Sequence, residues 1–400
     1  MFKRRETVYT IKNQVKNQMR INIQNKENCC GCTACENICF HQAIIMRSDA
    51  SGFMYPEVDE SKCIDCGLCV KTCQFKQNYD RYQNFDIPIV YAGRQKQLEE
   101  VTKSQTGGVA VLIYRQFISN GGYVYGVTFD NDLNIVFKGT DNHQAVEQFR
   151  GSKYVQADIR GIFSQIKEQL KNEIQVLFIG TPCQVAGLKS YLPKKLQEHL
   201  LTVDLVCHCN TSPGLWRAYV DYLEKKHHSK IIKANFRNKR FGWRKCFETY
   251  SFENGKELIT RSYDYLFFTH LSNRPSCAQC PYTNLKRVGD ITIGDYWGWE
   301  KNHSEWNDNL GLNLILVNSP KGEDLIEALR DHLDIQKTDT QDCLQPQLIK
   351  PIAKNPVQDR FFLDYSDKGI RYVLYKYGDL NYKFRLKVFL SQIKRKILHL

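Results

Sequence analysis

From Ile89 to about residue 320 the chain alternates short apolar runs with longer segments of helical period. IVYAGR and YVYGVTF read as strands. KSQTGGVAVLIYRQFISNGG opens with a polar turn, continues as an apolar-periodic helix and stops at Gly121 and Gly122, a normal C-terminal signal. EIQVLFIGTPCQVAGLKSYL and LTVDLVCHCNTSPGLWRAYVDYLEKK each read as strand, tight turn, helix. DITIGDYWG and LNLILVN are two more buried strands. Strands alternating with helices predict an α/β domain. Before Ile89 the pattern is different. AIIMRSDASGFMYPEVD predicts a short hairpin turning at Ser51 and Gly52, and QNYDRYQNFDIP is polar, ends in proline and reads as a linker.

These shifts divide the chain into a basic extension (1–28), a small α+β domain (29–76), the linker (77–88), a larger α/β domain (89–345, with parts at about 89–170 and 171–345) and a basic helical C-terminal extension (346–400). A length of 400 residues fits two or three units. Hydrophobic residues at 42% and aromatics at 12% are enough for real cores and exclude a disordered chain. No apolar run reaches the roughly 20 residues that cross a bilayer. The opening residues are basic without an apolar centre, which argues against a secretory signal. With 16 cysteines in a long chain of this kind, the spacings read as metal sites in a reducing cytoplasm and not as disulfides. The formal charge of +13 is spread along the chain without a nucleic-acid-binding motif, so no nucleic-acid partner is expected. The last 20 residues mix six Lys/Arg with Leu, Ile, Val and Phe. They read as a helix docked on the domain with a basic outer face, or as an amphipathic helix making peripheral contact with an anionic membrane.

Two cysteine combs carry the most specific chemistry. Cys29, Cys32, Cys35 and Cys39, and again Cys63, Cys66, Cys69 and Cys73, follow C-x2-C-x2-C-x3-C. This is the bacterial ferredoxin spacing, in which three thiolates hold one [4Fe–4S] cluster and the fourth reaches the other. Cys29, Cys32, Cys35 and Cys73 are therefore expected on one cluster, and Cys63, Cys66, Cys69 and Cys39 on the second. The fourth cysteine is expected to start a helix that carries it across. Cys30 falls outside the comb. Phe40 and Gln74 stand where a proline usually follows the fourth cysteine. Zinc is a poor alternative, because it takes four ligands from CxxC pairs and leaves two identical four-tooth combs unexplained.

The α/β region offers further candidates. Ser104, Gln105, Thr106, Gly107 and Gly108 open a helix, a place whose amides and dipole favour an anion, although an ordinary capped helix explains the same residues. Gly151, Ser152 and Lys153 form a second such turn. Cys183 and Cys207 sit at strand ends, where ligands gather in open α/β sheets, and Cys277 and Cys280 form a CxxC pair. These four thiols could close a third four-iron site, or they could be unrelated buried cysteines.

SQTGGVA, IGTPCQVAGLKSYL, DLVCH, NFRNKRFGW and CAQCPYTNLKRVGDITIGDYWG, together with the combs and in order over residues 29–320, resemble the coenzyme F-420 hydrogenase/dehydrogenase beta-subunit family. The resemblance implies a flavin, FAD, near 104–108 with help from Gly151, Ser152 and Lys153. It also implies a third [4Fe–4S] cluster on Cys183, Cys207, Cys277 and Cys280. Cys209 stands where the family usually has glycine, which makes it an alternative ligand to Cys207. His208 is a candidate proton donor or a structural histidine. Arg237, Lys239 and Arg240 either meet anionic groups or form a solvated loop, and Asp295 and Trp297 either shape the pocket or belong to the core. The implied function is that of an iron–sulfur flavoprotein oxidoreductase acting on a small organic substrate, with an expected place in cell-surface polysaccharide biosynthesis. A ferredoxin-like soluble carrier or a partner redox subunit would exchange electrons with it. The rival expectation is a non-catalytic subunit that relays electrons to a partner enzyme.

Overall fold

The structure, a computed structural model, describes residues 19–76 and 78–380. The C-terminal 20 residues, read above as a basic helix, lie outside the described residues, as do residues 1–18 of the N-terminal extension. Thirteen strands are labelled in chain order: β1 (Ile44–Ser48), β2 (Met54–Val58), β3 (Ile89–Gln95), β4 (Tyr123–Phe129), β5 (Ile135–Thr140), β6 (Val176–Gly180), β7 (Leu200–Leu205), β8 (Ile231–Asn235), β9 (Glu248–Phe252), β10 (Glu257–Thr260), β11 (Ile291–Asp295), β12 (Asn313–Val317) and β13 (Leu333–Lys337).

In the small domain β1 and β2 pair antiparallel as the expected hairpin, with Ser48 opposite Met54. Helices Ala34–Ile38 and Leu68–Thr72 flank it. The cysteine-to-helix relation differs from the sequence expectation. Cys39 and Cys73 end these helices instead of starting them, each as C-cap residue with its N–H bonded back into the last turn. Each helix begins directly after a left-handed residue, Thr33 (φ 65°) or Gly67 (φ 76°). The third cysteine, Cys35 or Cys69, is therefore already helical, and a single turn spans the three residues to the fourth.

The larger domain is built on one eight-stranded sheet in the order β13-β3-β12-β11-β7-β6-β4-β5. It is mixed. The pairs β4–β6, β6–β7 and β7–β11 are parallel, whereas β5, β12 and β13 run antiparallel to their neighbours. The central strand β6 is a continuous apolar run ending in glycine, and β7 and β12 are buried almost throughout, because both faces are covered; the one charged residue among the three strands, Asp204 in β7, pairs with Arg287. The carboxyl ends of β6 and β7 lead into the functional loops: Gly180 into Thr181 and Cys183, Leu205 into Cys207 and Cys209. A three-stranded antiparallel sheet, β10-β9-β8, closes one side. It packs on an aromatic cluster in which Trp216 lies 4.7 Å from Phe236 and 5.1 Å from Tyr263, ring centre to ring centre. The Trp216 indole N–H donates to Leu133 O at 2.7 Å, so its burial leaves no orphaned donor.

The segment 78–88 is strapped to the larger domain. The Tyr79 hydroxyl donates to Lys286 O, and the Asn84 amide donates to Arg287 O and Gly289 O, both at 2.9 Å. The helical segment Gln358–Lys376, kinked at Gly369 (φ 75°), buries Phe361, Phe362, Val373 and Leu374, and Phe362 meets Phe53 of the small domain at 5.9 Å.

Trp216→Ala is expected to lower unfolding stability by about 3–5 kcal/mol through cavity formation and an orphaned carbonyl. Phe40→Ala, at a side chain 68% exposed, should change it by less than about 0.5 kcal/mol. Thermal and denaturant unfolding of the two variants checks this contrast.

Candidate iron–sulfur and cofactor site

The two domains meet along a seam made by the first comb. Gly31 adopts φ 70°, and a Cβ there would come within 2.8 Å of Gln156 Nε2 and 2.9 Å of an Arg274 nitrogen. Only glycine allows both the turn and this approach. Gln156 donates to Cys30 O at 2.9 Å. Arg274 donates to Cys29 O at 2.7 Å and to Met54 O at 2.9 Å. On the other side of the loop, helix Pro182–Tyr191 approaches so closely that a Cβ at Gly187 would lie 2.8 Å from Cys32 Sγ. Ser190 and Thr72 exchange hydroxyl-to-carbonyl hydrogen bonds at 2.5 and 3.3 Å, and the Tyr282 hydroxyl donates to Gln74 O at 2.7 Å.

Around this seam the thiols fall into three groups. Cys39, Cys63, Cys66 and Cys69 line one small cavity with Met19, Arg20 and Leu68. Cys66 is exposed, so this group is the outer one. Cys29, Cys32, Cys35 and Cys73 form a buried group. Burial raises the Cys35 thiol well above its ordinary range, and charge on Cys32, Cys29 and Cys73 raises it further. Burial likewise pushes Cys73 up to about 11. The third group is Cys183, Cys207, Cys277 and Cys280. Burial raises Cys207 well above normal, followed by Cys277, Cys183 and Cys280. Burial also takes Cys277 up to about 11. As bare thiols Cys29, Cys35, Cys73, Cys207, Cys277 and Cys280 are each pushed up by burial and resist ionisation. Iron supplies the positive charge that makes a coordinating thiol ionise outright, so the donor chemistry of the two comb groups fits [4Fe–4S] clusters.

Cys30 is not a bystander. It is buried and hydrogen-bonded to both Cys183 and Cys32, which pushes its own thiol up. The same bond brings Cys183 down to about 7. The buried and third groups are therefore in direct contact through Cys30. Cys209 is felt by Cys277 and Cys207, whereas Cys207 is felt by all three other members of its group.

A cavity of about 450 Å³ opens beside the third group, within the size range of small-molecule sites. Its lining includes Ser104, Gln105, Thr106 and Gly108, the turn Gly151, Ser152 and Lys153, and Cys207, His208 and Cys209. Gly107 is not part of this lining and packs against Arg94 and Asn313. Gly108 offers no side-chain cap to helix Val109–Ser119, and the first N–H of that helix, on Val109, donates to Asn313 Oδ1 at 3.5 Å. The Arg150 guanidinium donates to Ser104 Oγ at 2.6 Å, joining the two turns.

Other candidates are engaged elsewhere. Lys153 Nζ donates to four backbone carbonyls, 148–151, at 2.8–3.3 Å, and burial lowers its ammonium to about 7. Lys239 donates to Val101 O at 2.6 Å and Thr106 O at 2.7 Å. Arg240 pairs with Glu257 on the surface. Arg237 does reach the cavity, buried against Asp295 and within 5.5 Å of the Trp243 and Trp297 rings. His208 has both ring nitrogens occupied, Nδ1 with the Gln347 amide at 2.7 Å and Nε2 with His270 at 2.9 Å. Burial, with His270 next, lowers it to about 4. It is a neutral, held ring here. A second, more polar cavity of about 830 Å³ shares Arg150, Gly151, Ser152 and Lys153 with the first.

Sequence reasoning missed Gln156, Arg274 and Gln347. None sits in a spaced motif, and only Arg274, three residues before Cys277, lies near one.

Two family models match. Residues 28–76 match the 4Fe-4S dicluster domain, and residues 174–342 match the C-terminal region of the beta subunit of coenzyme F420 hydrogenase/dehydrogenase. This is consistent with the family resemblance in the sequence: an iron–sulfur domain joined to a region of an oxidoreductase subunit family. Among solved structures, a chain of the F420-reducing [NiFe] hydrogenase complex from Methanosarcina barkeri is similar at 15% identity and a TM-score of 0.45, over 72% of this chain and 90% of that one. No curated protein matches the chain.

Cys183→Ser is expected to remove about four irons per chain, and Cys30→Ser none. Iron and sulfide analysis of anaerobically purified variants checks both.

Proposed function

We propose that this iron–sulfur protein, whose residues 174–342 match the beta-subunit region just described, is a flavin-dependent oxidoreductase. It would exchange electrons with a carrier protein at one end and an organic substrate at the other. The observation that carries this reading is the ordered run of thiol groups. It starts at exposed Cys66, passes the buried group, crosses Cys30 to Cys183 and ends at Cys207, which lines the cavity. Cys29, Cys32, Cys35 and Cys73 would hold one [4Fe–4S] cluster, Cys39, Cys63, Cys66 and Cys69 a second, and Cys183, Cys207, Cys277 and Cys280 a third. Cys207 is the better fourth ligand of the last set than Cys209, because it is the one close to all three others.

The cavity would hold FAD. Its anionic groups fit Ser104, Thr106 and Gly108 at the start of helix Val109–Ser119, with Gly151 and Ser152 also in the lining. When bound, a flavin exchanges one hydride for two single electrons. The protein's part is to orient and shield it. Phe267 and Phe268 give an apolar wall, Arg237 is held in place by Asp295, and His208 is fixed by Gln347 and His270. Lys153 supports its own loop through the 148–151 carbonyls and does not contact an anion directly.

The substrate would be a small, hydroxyl-rich molecule approaching through the polar second cavity, where Lys233, Asn235 and Phe129 are available to it. That chemistry is consistent with a sugar or lipid-linked sugar, and hence with a role in cell-surface polysaccharide biosynthesis. A relay subunit without its own substrate is the second reading. It is favoured by the apolar rim of the outer group, where Phe40, Ile64, Leu68 and Val70 are exposed around Cys66 and suit a partner redox protein. No helix of the described residues is long and apolar enough to cross a membrane.

Anaerobically purified protein should contain about twelve irons, from three four-iron clusters, and one flavin. Reduced flavin should be reoxidised by a small organic acceptor without a partner protein. About eight irons and no flavin would refute the flavin reading. Reoxidation only by a partner protein would establish the relay.

A further inference from the structure

Arg274 is 2% exposed, and among the described residues no carboxylate pairs with it. Its guanidinium instead donates to two carbonyls, to Gln156 Oε1 at 2.8 Å and to Cys29 Sγ at 3.7 Å. The faces of Tyr55 and Phe53 lie 4.2 and 5.3 Å from it. A buried cation surrounded only by neutral partners is strongly disfavoured. Its counter-charge comes from thiolates: Cys29 is the nearest and is hydrogen-bonded to it, Cys32 of the same group also feels it, and Cys277 and Cys183 of the third group lie within its field.

The outer group has the opposite surroundings. Cys63 Sγ lies 3.7 Å from Asp65 Oδ1. The neighbouring cation, Arg20, is divided between Asp65 at 3.2 Å and Glu60 at 3.0 Å. The inner cysteines therefore sit beside one uncompensated positive charge, and the outer ones beside a trio with one net negative charge. Reducing a cluster adds a negative charge, which a neighbouring cation favours and a neighbouring carboxylate opposes. Burial alone would lower the inner potential, because solvent exposure is one of its determinants. The same low dielectric that causes this also strengthens the field of Arg274.

We propose that Arg274 holds the reduction potential of the cluster on Cys29, Cys32, Cys35 and Cys73 above that of the cluster on Cys39, Cys63, Cys66 and Cys69. Arg274 acts as a positioning and potential-setting residue, and Asp65 is its counterpart at the outer end. A single electron delivered at the exposed end then rests at the inner cluster, with no bond formed and no proton moved. This inference rests on the iron–sulfur reading above.

The test is an EPR-monitored redox titration of the full-length protein, with iron analysis, comparing wild type, Arg274→Gln, Arg274→Lys and Asp65→Asn. Arg274→Gln should move a step to lower potential at unchanged iron content, and Arg274→Lys should restore most of the shift. Asp65→Asn should raise a different step, one that lies lower in the wild type. If Arg274→Gln moves no step, or moves one lying below the step that Asp65→Asn raises, the inference is overturned. Should Arg274→Gln fail to fold, Arg274→Lys takes its place: a smaller downward shift of a step lying above the one that Asp65→Asn raises supports the proposal, and no shift, or a shift of a step lying below it, contradicts it. Absence of iron would overturn the cluster reading itself, and this inference with it.

Discussion

The constraint on which the rest depends is the burial of the loop 29–31 between the two domains. That loop carries two thiols, Cys29 and Cys30, and it is held by the Gln156 amide and the Arg274 guanidinium, with Gly187 packed close against the adjoining Cys32. Each contact demands something specific from the sequence. Gly31 must be left-handed and small, Gly187 must have no side chain, and Arg274 must have a counter-charge where no acid is available. The small domain is therefore not a tethered carrier. Its hairpin, its helix ends and the strap 78–88 are all fastened to the larger domain, so the distances between thiol groups are fixed by packing and not by a linker.

The larger sheet serves the same end. Strands β6 and β7 run parallel and deliver Cys183 and Cys207 to the same edge. Antiparallel β12 starts at that edge, which brings Asn313 against the loop of residues 104–108. At the start of the helix from Pro182 the Gln184 side-chain oxygen accepts from the Thr181 N–H at 3.0 Å and from the Thr181 hydroxyl at 2.9 Å. Cys183 is thus held on a rigid first turn, with Gly187 one turn later facing the small domain. One short helix consequently fixes both a member of the third thiol group and the seam.

Much of this was legible in the sequence. Comb spacing is a local property, and so are the strand and helix periods that produced β3, β4, β6, β7, β11 and β12. The hairpin about Ser51 and Gly52 was equally local. What could not be read was whatever depends on three-dimensional neighbours. Nothing local marks Cys30 as the contact between two thiol groups, or Gln156 and Arg274 as the clamp. Lys153 and Lys239 are basic residues beside a glycine turn and in a basic loop, yet both turn their ammonium groups to backbone carbonyls. Cys39 and Cys73 show the limit at the scale of one turn: the helix starts one ligand earlier than the spacing alone suggests.

The central claim is that the thiol groups form one connected array across the seam. The most direct measurement is the EPR spectrum of the fully reduced, anaerobically purified protein. Clusters held in contact through Cys30, Cys32 and Cys183 should give a broadened spectrum of magnetically interacting spins. A sum of sharp, independent cluster signals would contradict the account.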